Sequence, residues 1–112
     1  MELICISDTY SEDFLKVFAK YDIKFPKEGE IVTMVGYEKL PRVNKTGLYV
    51  EPYTKQYISG EIFGIKGEKE VSFDSKRFTT LLGEPLTMEM LKENKEEQNY
   101  VQQKPLNKEQ WN

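Results

Sequence analysis

The chain has no histidine among its 112 residues. That removes the commonest general base at neutral pH, the commonest metal ligand, and the Ser-His and Cys-His nucleophile pairs together. There is no G-x-x-x-x-G-K-[ST] loop to cradle a phosphate, no G-x-G-x-x-G, and no second cysteine to complete a zinc site. Carboxylates are plentiful, and Glu28 with Glu30 and Glu68 with Glu70 stand two apart. Such pairs project the same way only on a strand, and both flank glycine turns, where solvated turn residues are the expected reading. The expectation is a protein that is not an enzyme and carries no cofactor or metal.

What remains is contact chemistry. Tyr37, Tyr49, Tyr53 and Tyr57 cluster in sequence beside Lys39, Arg42, Lys45 and Lys55. Tyrosine with cations suits a protein interface, where it gives large contact area at low entropic cost. It also suits single-stranded nucleic acid, where rings stack on bases and cations follow phosphates. The net charge of −3 weighs toward a protein partner, since the mean field of the molecule repels nucleic acid. The competing reading is that alternate tyrosines pack one face of a strand, and that Lys39, Arg42 and Lys45 sit on an ordinary solvated loop. Trp111, in the polar C-terminal stretch, has the character of an aromatic anchor. Cys5 lies in an apolar run with no basic neighbour and reads as a small buried hydrophobe. A lone cysteine forms no disulfide within the monomer, which fits a reducing cytoplasm.

These residues need elements to hold them. The chain is one domain long, with 38% hydrophobic and 31% charged residues, enough for one modest core under a polar surface. No apolar run reaches the ~18 residues that span a bilayer. The opening stretch, Met1 to Ile6, gives way at once to Ser7 and Asp8, so neither a signal peptide nor a membrane partner is expected. Glu2 to Ser7 has the length and composition of a central strand buried on both faces. Thr9 to Glu12 has capping-box spacing, with Ser11 as a rival cap. The stripe Phe14, Leu15, Val17, Phe18, Tyr21 then predicts about three helical turns packed on a sheet.

Pro26 and Gly29 end that segment. Glu30 to Tyr37 alternates as a strand, with Gly36 marking a bulge or bend. Gly47 to Glu51 predicts the next strand. Glu61 to Ile65 and Glu70 to Phe73 predict a hairpin turned at Lys66, Gly67 and Glu68. Leu81 to Gly83 closes this region. Thr87 to about Glu97 predicts a short helix after Pro85. The organisation expected is a globular α+β domain over 1–83, a helix over 84–97, and a polar tail over 98–112 that is flexible or ordered by a partner. Several short strands with Gly and Pro turns favour a small, partly open antiparallel barrel or curled sheet, with the early helix packed on it.

The runs Pro26 to Thr33 (PKEGEIVT), Gly47 to Glu51 (GLYVE) and Val71 to Phe78 (VSFDSKRF) resemble a pattern in small SH3-like-barrel proteins of bacterial phages and mobile elements, over roughly residues 23 to 82. The early helix and the C-terminal extension depart from that pattern. The resemblance brings no catalytic residues. It implies Asp74, Ser75 and Arg77 in a short turn, with Phe73 and Phe78 in the core. It also implies an accessory protein that blocks or redirects a host protein, such as an RNA-guided or other defence nuclease. A nucleic-acid-binding SH3-like module and a structural phage component are the alternatives.

Overall fold

The computed structural model describes residues 1–40, 44–63 and 66–93. Its strands are β1 (Glu2–Cys5), β2 (Ile31–Leu40), β3 (Lys45–Glu51), β4 (Tyr57–Ser59), β5 (Glu68–Glu70), β6 (Phe73–Asp74) and β7 (Phe78–Thr80). Helix α1 spans Glu12–Lys20 and α2 spans Met88–Glu93. The fold is α+β. Five strands form one antiparallel sheet in the order β6-β3-β2-β1-β7, and β4 pairs with β5 in a separate two-stranded sheet. The edges β6 and β7 do not pair with each other, so the main sheet is open rather than closed into a barrel.

Register explains where the core lies. Opposed residues of an antiparallel pair share a face. Leu3 opposes Val32, Cys5 opposes Phe78, Met34 opposes Val50 and Leu48 opposes Phe73. All eight are at most 2% exposed. The register slips between Met34 and Gly36, the bulge that Gly36 forecast. Without that extra residue in β2, Tyr37 would turn away from the face that Met34 occupies. Phe18, Ile23, Ile58, Val71 and Leu91 complete the same cluster. Each large side chain so buried contributes about 1.5–3 kcal/mol. Leu91, at 1% exposure, ties α2 into this body.

β1 is central, between β2 and β7, but it is not buried on both faces. Leu3 and Cys5 are buried while Glu2 is exposed and Ile4 half-buried, and Ile31 opposite Ile4 is 55% exposed. A run of apolar residues reads as two-sided burial; here only every second one reaches the core. Cys5 is buried as expected, and burial pushes its thiol upward from the ordinary value.

Helix α1 begins where the sequence offered two caps. Ser11 is the one used, its Oγ accepting from the Phe14 amide at 3.3 Å. Glu12 and Asp13 lie in the first turn and Lys20 in the last, each favourable to the helix dipole. Asp22, at φ 54°, then turns the chain away.

The second hairpin departs from expectation. Gly60–Phe63 is a 3-10 turn, and the strands that pair are β4 and β5, with Ile58 opposite Lys69. This pairing puts Ile58 into the core at 5% exposure, which the Glu61 to Ile65 pairing had no reason to do. The turn Ser75–Arg77 is as expected, capped by Asp74, with Phe73 and Phe78 each 2% exposed. Leu81 to Gly83 form an exposed turn, Leu82 being 87% exposed. That turn folds back on the β7 edge through Thr80 N to Glu84 O at 2.9 Å and a bridge from Thr79 to Pro85, covering part of an otherwise open edge.

Candidate binding cleft

Helix α1 meets the sheet through Phe18, while Phe14 and Leu15 stay 49% and 43% exposed. The helix therefore stands off the segment running from β5 to β6. Between them lies an open cleft of about 290 Å³. One wall is Tyr10, Phe14, Val17 and Phe18. The other is Lys69 through Asp74, with Ile58 beside it and Leu40, Lys45 and Arg77 at the rim.

Aromatic contacts fix the helix wall. Tyr10 meets Phe18 and Phe25 edge-on, with ring centroids 5.1 and 4.9 Å away. The Arg77 guanidinium lies 3.7 Å from the Tyr10 ring centroid, and its Nη1 donates to the Thr9 carbonyl at 2.7 Å. This is cation–π geometry with the cation held in place. Burial pushes the Tyr10 phenol up to about 12, against the opposing effect of Arg77.

A polar network holds the other wall. Lys69 Nζ lies 2.5 Å from Glu38 Oε2, 2.9 Å from the Glu70 carbonyl and 3.4 Å from the Tyr49 hydroxyl. Ser72 Oγ donates to the same Glu38 oxygen at 2.7 Å. Glu70, its side chain fully buried, accepts from the Lys55 amide at 2.7 Å and faces Lys55 Nζ at 3.9 Å. Such bonds inside a low-dielectric site rigidify it.

Of the tyrosines and cations singled out in the sequence, only Lys45 lines the cleft among the described residues. Tyr49 is interior at 1% exposure. Tyr37 and Tyr53 are half-buried against the core, and Tyr57 is half-buried on β4. Lys39 and Lys55 are exposed. Arg42 and Trp111 lie outside the described residues. Tyr37 and Tyr49 are thus strand packing and Tyr53 sits in the turn after β3, and together they assemble no single surface. Reading the sequence missed Tyr10, Phe14, Asp74 and Arg77. The available signal was the width of the α1 stripe: Phe14, Leu15, Val17, Phe18 and Tyr21 are more apolar positions than one buried face of a nine-residue helix requires.

No family model, curated protein or solved structure matches this chain. The reading of the cleft therefore stands on its own geometry. An apolar trough with a few fixed polar groups at its rim is a binding geometry.

Tyr53 lies outside the cleft but offers a spectroscopic handle on the fold. Its hydroxyl donates to the Glu30 carboxylate, at 2.8 Å from Oε1 and 2.7 Å from Oε2. Burial first, and that hydrogen bond second, push the phenol up to about 12. The fold keeps the Tyr10 and Tyr53 protons where the unfolded chain, ionising near pH 10, has lost them. The stability from these groups is therefore complete below pH 10 and declines as pH rises from 10 to 12. In a phenolate absorbance titration the Tyr53→Phe variant is expected to lose one late-ionising tyrosine. Denaturation midpoints should fall between pH 10 and 12 in the native chain, and fall less in the variant.

Proposed function

We propose that this chain is a non-enzymatic binding protein that docks a protein partner at the cleft between α1 and the β5–β6 segment. The observation that carries this reading is Phe14, a large apolar side chain 49% exposed that lines an apolar trough. Exposed apolar surface beside a concavity is characteristic of interaction sites. The finer reading is an SH3-like accessory protein of a phage or mobile element that blocks or redirects a host protein such as a defence nuclease, in the manner of an anti-CRISPR. It draws on the resemblance over residues 23 to 82 and on the net charge of −3.

The test compares the tagged native chain with a Phe14→Asp variant in affinity purification from a phage-infected bacterial host, with half of each lysate treated with nuclease. Phe14 stands at the third position of α1, where an acidic side chain suits the dipole, so the variant is expected to fold. A stoichiometric protein that survives nuclease and is lost with Phe14→Asp is the expected result. Material lost on nuclease treatment would make the chain a nucleic-acid binder. A partner held equally by the variant would place the interface elsewhere.

A further inference from the structure

The charged groups around the cleft differ in how far they are already engaged, and this selects the partner. Lys69 and Glu70 line it, but their side chains are only 10% and 0% exposed and are held by Glu38 and Lys55. Asp74, 22% exposed, has Oδ1 on the Lys76 amide at 3.0 Å and Oδ2 facing Lys45 at 3.5 Å. The rim carboxylate is thus committed within the fold. Of the rim cations, Lys45 reaches further outward than the Asp74 it pairs with, and Arg77 is half-buried. Lys45 is 53% exposed. Arg77 is fixed by the Tyr10 ring and, through Nη1, by the Thr9 carbonyl and the Ser7 hydroxyl. A guanidinium carries five N–H donors in a rigid fork, so donors beyond Nη1 remain to take a ligand. A cation already held in position loses little entropy on taking a carboxylate.

Volume limits the rest of the ligand. About 290 Å³ is just below the ~300–1,000 Å³ range of small-molecule pockets, so one bulky side chain fits and a helix does not. From this we infer that the cleft takes a short acidic segment of the partner, one large apolar side chain entering between Phe14 and Val71 with a neighbouring carboxylate on Arg77 and Lys45. The inference rests on the proposed protein-docking role of the cleft and adds the chemistry of the partner.

Two probes separate the inference from that role: N-acetyl-Phe-Glu-amide and N-acetyl-Phe-Lys-amide, titrated into the ¹⁵N-labelled full chain while amide shifts are followed. The acidic dipeptide is expected to move the amides of Val17, Phe18, Val71 and Ser72, and to bind about ten-fold tighter than the basic one, the effect of one charge-assisted contact. Lys45→Glu, at an exposed site, is expected to reduce or reverse that ratio, and Arg77→Gln to abolish it. Equal binding of both dipeptides at those amides would overturn the acidic preference and leave the cleft as a docking place for apolar side chains. No shift at those amides with either dipeptide would overturn the cleft itself and the inference with it.

Discussion

Replacing Lys69 with methionine is expected to lower the unfolding free energy by about 3–5 kcal/mol, the cost of leaving one member of a buried ion pair without its partner. Lys69 and Glu38 side chains are 10% and 12% exposed and meet at 2.5 Å, so water does little to compensate either. With the ammonium gone, the Glu38 carboxylate keeps the Ser72 hydroxyl but loses the charge that balances it. Methionine preserves most of the stem volume, which limits packing loss. Because attraction between buried charges roughly offsets their desolvation, the double replacement Glu38→Leu with Lys69→Met is expected to cost much less than the sum of the singles. Urea denaturation of the four proteins of this cycle measures both values. A loss under about 1 kcal/mol for Lys69→Met, the range of exposed pairs, would show that solvent reaches the pair and that the cleft wall is not held by it.

The same network shows which parts of this protein are written locally in its sequence. Helix α1, the bulge at Gly36, the turn at Asp74 to Arg77 and the placement of Phe73 and Phe78 all follow from signals spanning a few residues: a serine cap, a glycine in a strand, an aspartate able to cap its own turn. The partner of β5 does not. Choosing between Tyr57–Ser59 and Glu61–Ile65 depends on which one carries Ile58 to the core, a contact with elements distant in sequence. The cleft is less legible still. Phe14 and Phe18 have equal standing in a helical stripe, and only tertiary packing leaves one at 49% exposure and the other at 7%. The tyrosine cluster misleads for the same reason: closeness in sequence brings Tyr49 and Tyr53 to neighbouring positions but sends one ring into the interior and the other to Glu30.

Gly47 is the first residue of the strand predicted over Gly47 to Glu51, and its role in the structure is to leave room. It is buried on β3 opposite Glu38 and Asp74, and a Cβ there would lie 2.1 Å from Ser72 Oγ and 2.8 Å from Ser72 Cβ. Rotating the hydroxyl away would break its 2.7 Å bond to Glu38 and still leave the Cβ contact, whose position the backbone fixes. Gly47→Ala must therefore move β3 against the 69–74 wall, and the expected loss is about 2–3 kcal/mol. Strand propensity alone gives the opposite sign, since alanine restricts the unfolded chain and glycine inside a strand costs about 0.5–1 kcal/mol relative to it. The direction of the change thus decides between the two effects. Ser72→Gly removes both clashing atoms, so Gly47→Ala combined with Ser72→Gly should be more stable than the two single losses added together. Thermal and urea unfolding of the two singles and the double provide the measurement. A neutral or stabilising Gly47→Ala would mean that the strand and the segment bearing Ser72 separate easily, and that the wall of the cleft on that side yields to an incoming partner.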